Sequence, residues 1–343
     1  MNYPGSGSKP EILPTHTAKL FDAAVQRSAE MLRAGELVAL PTETVYGLAA
    51  NALNERAVQK IFQVKGRSVH NPIIVHVASR AMTRRCVATW PNLAEKLAMA
   101  FWPGPLTLVL PRSKEIPDVV TAGGETVGIR WPSHPFIRAV ILACGFPLAA
   151  PSANPSSQVS PTTAEHVLNG LGNAIRLIID GGPSQVGIES TVLDLTESPP
   201  RLLRPGMISG ESLSAVTGEP TAGAGRSDGR DPLRSPGLLL KHYAPKARVV
   251  ILNWRDETDL RSQLPAFGVR AGKVHIITHT NIPANEQFGR VGVIPHDAEA
   301  FGRAIYAELH RCDETGAELI VVESLPSTGE WQAIADRLKR AAA

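Results

Sequence analysis

Chemistry on a polyanion needs cations and hydroxyls gathered in one place, and four stretches of this chain concentrate them. In KGRSVHNPIIVHVA, residues 65–78, Lys65 and Arg67 flank Gly66 just ahead of an apolar strand carrying His76. Read as extended chain, alternate residues project the same way, so both cations face one polyanion. The same residues also suit a solvated surface pair and a hydrogen-bonded core histidine. PTETVYGLAA, residues 41–50, sets Thr42, Glu43, Thr44, Tyr46 and Gly47 on one turn at a strand end, types that an ordinary strand-to-helix cap also uses. In PLAAPSANPSSQVSPTTAEH, small residues and prolines enclose Ser152, Asn154 and Ser160 before a helix. Small side chains let backbone amides approach a ligand, and a helix N-terminus favours anions, although a plain Ser/Pro loop has the same composition. GIESTVLDL and LLRPG add Ser190, Thr191 and Arg204, again at strand ends.

The elements that must position these groups follow from periodicity. Thr17 precedes Leu20, Ala24 and Met31 at helical spacing and Gly35 follows, which predicts a capped helix over 18–34. Apolar β-branched runs (LVAL, IIVHVA, LTLVLP, VGIRW, PLAAP, RLIID, STVLDL) alternate with helical patterns near 55–64, 92–101, 135–144 and 163–170. This is an α/β pattern with a large mixed sheet. From Pro205 to Pro245 the chain is rich in Gly, Ser, Thr, Pro and Asp, which reads as a linker. Beyond it VVIL, VHIIT and LIVVES alternate with helices near 256–267, 297–313 and from 330 onward, a second and smaller α/β domain.

Several function classes are excluded at this level. The 343 residues carry 43% hydrophobic and 20% charged residues, so a folded globular protein is expected and neither a disordered chain nor a membrane bundle fits. The net charge of +3 does not mark a nucleic-acid binder, so any basic surface must come from clustering. Cys86, Cys144 and Cys312 lie far apart and form no disulfide framework or paired-cysteine metal motif, which points to a reducing cytoplasm. The N-terminus has no apolar run of the signal-peptide kind, and the longest apolar stretch, 139–150, is short and holds Pro147, so no membrane span is expected. GxxxxGK[ST], a strand-following GxGxxG, HExxH and GxSxG are all absent. In the second domain VVIL runs into NWRDE without a glycine turn, which argues for an interaction or lid role there and against a dinucleotide site.

Taken in order, PTETVYGL, KGR before NPIIVHV, FWPGPLTLVL, TVGIRWP, APSAN, GIESTVLDL and LLRPG resemble the YrdC-like superfamily, and specifically threonylcarbamoyl-AMP synthases. The resemblance spans about 17–206, and HYAP with the C-terminal α/β domain resembles the long, two-domain form of that family. It implies a YrdC-like twisted mixed sheet with flanking helices over 17–206, a linker with HYAP over 207–247, and a Rossmann-like α/β domain over 248–343. It also implies that ATP, L-threonine and bicarbonate or CO2 give L-threonylcarbamoyladenylate and pyrophosphate, with Mg²⁺ accompanying ATP. The product then serves a tRNA threonylcarbamoyl-transferase machinery acting beside the anticodon, with direct tRNA contact left open.

Carried over by motif, the family's KxR and SxN tetrad falls on Lys65, Arg67, Ser152 and Asn154. The resemblance assigns L-threonine to Thr44, His76, Arg130, Ala150 and Ser190, and ATP to Lys65, Arg67, Asn71, Thr126, Ser152, Ser160, Arg204 and Tyr243 of HYAP. A guanidinium suits an amino-acid carboxylate, and a cradle of cations and hydroxyls neutralises a triphosphate without a phosphate loop. No nucleophile with a paired base stands out, as expected if positioning and charge stabilisation carry the reaction. The linker reads SPGLLLKHYAP, departing from the family pattern after SPG, and is long enough to act as a lid over a hydrolysable anhydride. Two alternatives stand beside this reading: a module that grips double-stranded RNA or a tRNA stem by its phosphates, and a relative handling carbamoyl-adenylate in hydrogenase maturation. The second lacks support, because no zinc-finger-like cysteine pairs accompany the domain.

Overall fold

Short polar side chains set the helix starts in this chain. Thr17, Asn54, Ser79, Thr163, Ser209, Asp256 and Asp297 each accept a backbone N–H from the first turn of the helix that follows. The computed structural model describes residues 9–219, 221, 242–284 and 287–343. It divides into two units: described residues within 1–156, 161–185 and 189–238 form the first, and those within 157–160, 186–188 and 239–343 the second. The segments 157–160 and 186–188 therefore fold with residues far along the chain, which no compositional boundary reveals.

The first unit runs β1 (Glu11–Pro14), α1 (Ala18–Arg33), β2 (Val38–Leu40), β3 (Gly47–Asn51), α2 (Glu55–Lys65), β4 (Val75–His76), α3 (Arg80–Cys86), α4 (Asn92–Phe101) and β5 (Leu106–Pro111). It continues with α5 (Asp118–Thr121), β6 (Thr126–Arg130), α6 (Pro135–Cys144), β7 (Leu148–Ala149), α7 (Ala164–Leu171), β8 (Leu177–Asp180), β9 (Thr191–Asp194), β10 (Arg201–Arg204) and α8 (Gly210–Thr217). Ten strands form one mixed sheet in the order β1-β8-β2-β3-β7-β4-β6-β5-β9-β10. Helix α8 lies in the stretch that composition marks as linker, while 222–241, including Leu238 to Leu240, lie outside the described residues.

Strand alternation separates the main core face of this sheet from an opposite face that mixes polar groups with a small apolar cluster of Val109, Val192 and Leu203. Val75, Leu106, Leu108, Leu110, Val127, Ile129 and Leu193 belong to the main buried core. Successive side chains in a strand point to opposite faces, so His76, Thr107 and Arg130 stand on the other side. They also share a row, because His76 pairs with Arg130 across β4 and β6, and Arg130 with Thr107 across β6 and β5. Neighbouring strands lie about 4.8 Å apart, so three polar residues sit side by side on one face.

The second unit contains β11 (Arg248–Leu252), α9 (Glu257–Gln263), β12 (Val274–Thr278), β13 (Arg290–Val293), α10 (Ala298–Glu314), β14 (Leu319–Glu323) and α11 (Gln332–Ala341). Its four strands are all parallel in the order β11-β14-β12-β13, with Val274, Ile276, Leu319 and Val321 in its core. The three cysteines are free and buried, and no described helix is long and apolar enough to cross a membrane.

Candidate active site

Lys65 ends α2, and Gly66 follows in the left-handed conformation at φ 62°, the usual way to stop a helix. The KGR stretch is therefore a helix end and a reversal, and the extended pairing of Lys65 with Arg67 expected from alternation does not form. Lys65 Nζ instead donates to the carbonyl of Ser152 at 2.6 Å and to that of Asn154. Burial first, then the charge of Arg67, pushes the Lys65 pKa well below the ordinary lysine value. Arg67 turns to the next loop, donating through Nε to Asn71 O at 3.2 Å and through Nη2 to Pro72 O at 2.8 Å. The amide oxygen of Asn71 is buried and has no hydrogen-bond partner among the described residues.

Segment 150–154 is laid along β3 by backbone bonds. Ala150 N donates to Ile74 O, Leu48 N to Pro151 O and Ala153 N to Tyr46 O, and Ser152 bridges Gly47. An added Cβ on Gly47 would lie 3.3 Å from Ala150 Cβ, so this close approach favours glycine. All four tetrad residues thus belong to one neighbourhood: Lys65 holds Ser152 and Asn154, and Arg67 acts electrostatically on Lys65.

A second group gathers on the polar row. Arg130 donates through Nη1 to Thr44 Oγ1 at 2.8 Å and through Nε to Gly104 O at 3.3 Å, and it pairs with Glu43 Oε1 at 2.7 Å. Thr42 Oγ1 donates to Val45 O at 2.6 Å and lies 3.0 Å from Thr44 Oγ1, which ties the 42–45 turn together. Burial pushes the Glu43 carboxyl up, but the charge of Arg130 and hydrogen bonds from Arg130 and Ser133 N overcome it and hold the group below its ordinary value. His76 Nδ1 is buried without a partner among the described residues; burial, then the Arg130 charge, drives its pKa down to about 3, so the ring is neutral at physiological pH. Ser190 Oγ lies 2.8 Å from Thr107 Oγ1 and accepts from Arg204 Nη2 at 3.1 Å, while Arg204 Nε donates to Ser190 O at 3.0 Å.

Three expected residues take no part in the contacts just described. Thr126 opens β6 and Arg130 ends it, so four residues and roughly 13 Å of strand separate them. Ser160 and Tyr243 belong to the second unit. There Ala244 N donates to Ser157 O at 3.0 Å, and His310 Nε2 lies 3.1 Å from Ser160 O. The Tyr243 ring is 1% exposed and stacks 5.9 Å from Tyr306, with the Arg337 guanidinium 5.2 Å from its centre. Sequence reading missed Thr107, although a lone hydroxyl in LTLVLP was a usable signal. It also gave Glu43 no role, because nothing local shows that Arg130 reaches it. A cavity of about 320 Å³ lined by Arg84, Trp90, Met99, Trp102 and Trp131 contains none of the expected site residues.

Among the described residues, no group of three or more His, Cys, Asp or Glu side chains is arranged to hold a metal ion. The site's assets are cations, hydroxyls and one carboxylate, suited to seating anions and a zwitterion. A mixed sheet with these buried groups on one face, no phosphate loop and a parallel-sheet unit next in the chain defines a YrdC-like α/β protein of the two-domain kind.

Comparison with known proteins agrees. A family model described as "Telomere recombination" matches residues 30–206, and one described as "Threonylcarbamoyl-AMP synthase, C-terminal domain" matches 208–343. The threonylcarbamoyl-AMP synthase of Pyrococcus abyssi is 41% identical over 92% of this chain and 93% of its own length. That of Bacillus subtilis is 41% identical over 94% and 93%. The crystal structure of P. abyssi Sua5 complexed with L-threonine superposes with a TM-score of 0.87 at 38% identity, covering 98% of both chains. The chain belongs to the threonylcarbamoyl-AMP synthase family in its two-domain form. These likenesses support the enzyme reading and not the RNA-binding alternative.

Proposed function

We propose that this chain joins L-threonine, bicarbonate or CO2, and ATP into L-threonylcarbamoyladenylate, releasing pyrophosphate. The observation that carries the reading is the buried Lys65 amine on the carbonyls of Ser152 and Asn154, with Arg67 beside it and, among the described residues, no carboxylate paired with it. A group whose charged form is penalised by burial and by a neighbouring cation suits a site completed by a polyanion, which restores the charge.

Lys65, Arg67, Ser152 and Asn154 act on the reacting phosphate, and Asn71, Thr126, Ser160, Arg204 and Tyr243 complete the ATP site. Thr44, His76, Arg130, Ala150 and Ser190 hold L-threonine; the threonine complex of the P. abyssi relative supports that substrate. The α-ammonium first gives up a proton to solvent or bicarbonate, and the free amine then adds to CO2 through a new N–C bond, losing a second proton to give the carbamate N-carboxythreonine. Its carboxylate oxygen attacks the α-phosphorus, and the bond from that phosphorus to the β-phosphate bridging oxygen breaks to release pyrophosphate. Lys65 and Arg67 stabilise the charge that develops, and Arg130 orients the amino acid. Mg²⁺ enters on the triphosphate as part of the substrate. The adenylate passes to a tRNA threonylcarbamoyl-transferase machinery acting beside the anticodon, and the three free thiols suit a cytoplasmic setting.

The test is incubation of the chain with ATP, Mg²⁺, bicarbonate and each amino acid in turn, with product identified by mass spectrometry and pyrophosphate counted. A threonine-dependent adenylate is expected. Lys65→Ala should cut turnover by about 100- to 1,000-fold with the fold intact, and near-normal turnover in that variant would defeat the assignment.

A further inference from the structure

The Glu43–Arg130 pair is half spent. Both side chains are 4% exposed, and Glu43 Oε1 already serves Arg130 Nη2 at 2.7 Å and Ser133 N at 3.0 Å. Its second oxygen, Oε2, is fully buried and has no hydrogen-bond partner among the described residues. Leaving a charged acceptor unmet inside a protein is expensive, so such an atom calls for a donor brought from outside. Thr44 and Arg130, placed above with the amino-acid substrate, are in direct contact with this pair or adjacent to it in sequence.

An α-amino acid carries its two charges one carbon apart, anionic at the carboxylate and cationic at the ammonium. A guanidinium and a carboxylate oxygen held side by side offer the complementary pattern. We infer that Glu43 is a specificity-determining residue: its Oε2 accepts a hydrogen bond from the α-ammonium of the bound amino acid while Arg130 takes the carboxylate. Recognition of the α-ammonium then disfavours an acid of the same shape with no donor on its α-carbon, because it would leave Oε2 unmet. The charge of Arg130 keeps Glu43 ionised at neutral pH, so the carboxylate acts as an acceptor throughout.

This assignment rests on the function proposed above, and calorimetry on the full chain separates the two. L-threonine and (R)-3-hydroxybutanoate, which lacks only the amine, are titrated into wild type and Glu43→Gln. Wild type should prefer threonine by roughly 10- to 100-fold, and the variant should lose most of that preference through weaker threonine binding. If Glu43 merely steadies Arg130, both ligands weaken equally, and the assignment fails. Should Glu43→Gln not fold, a crystal structure of wild type with L-threonine alone decides: the ammonium within hydrogen-bond distance of Oε2 supports the assignment, and an ammonium held elsewhere overturns it. No threonine binding to wild type at all would instead defeat the proposed function.

Discussion

Two carboxylates in this molecule are buried equally, at 3% exposure each, yet they behave in opposite ways. Glu323, at the end of β14 in the second unit, spends both oxygens. Oε2 accepts from Thr278 Oγ1 at 2.5 Å, His279 N at 2.8 Å and Thr280 N at 2.9 Å, and Oε1 from Asn281 N and Nδ2 at 3.1 Å each. Burial pushes its pKa up, and those donors bring it below the ordinary value. Glu43, in the first unit, reaches the same ionised state through one arginine and the Ser133 amide and leaves an oxygen without a partner among the described residues. Burial and charge state therefore do not tell a structural carboxylate from a working one. Unspent hydrogen-bonding capacity does.

The sharpest way to break this contrast is Arg130→Met, which strands Glu43 as an uncompensated buried charge. It should cost about 3–5 kcal/mol of stability and abolish threonine-dependent turnover. Adding Glu43→Met should restore most of the stability and none of the turnover, measured by urea unfolding and pyrophosphate release. Glu323→Ala should also destabilise, by about 2–4 kcal/mol, but turnover per folded molecule should match wild type; a specific loss of turnover would erase the distinction. A smaller effect is expected at Gly206, where an added Cβ would lie 2.3 Å from Thr191 N, next to Ser190. Gly206→Ala should cost about 1–3 kcal/mol and raise the KM for both substrates, because Ser190 and Arg204 must shift.

The last effect concerns protons. His76 titrates at about 3 in the folded chain against its ordinary 6.5, so between these values the unfolded chain holds a proton that the folded one lacks. Stability contributed by the neutral ring is complete above pH 6.5 and falls as pH drops through that window, by at most about 1.4 kcal/mol per pH unit for one proton. Denaturation midpoints for His76→Gln should show a flatter acid limb than wild type, and parallel limbs would count against it.

How much of this was legible beforehand differs by element. The helices announced themselves through periodicity, with a polar cap at α1: the segment expected over 92–101 forms as Asn92–Phe101 and that over 135–144 as Pro135–Cys144. Strands β4 and β7 are two residues each and take their identity from partners, so local pattern located them only loosely. The KGR stretch was misread as extended because alternation says nothing about a left-handed glycine.

Residue types and their order determined that this chain folds as α/β, that it carries scattered cations and hydroxyls at strand ends, and which family it resembles. Periodicity encodes which face of an element is apolar, and that information is local. Only the tertiary structure decided that Lys65 spends its charge on the carbonyls of Ser152 and Asn154, that His76, Arg130 and Thr107 share one row, and that Glu43 keeps an oxygen free. Each of these depends on strand register and on contacts between distant segments, and no local rule of spacing fixes either.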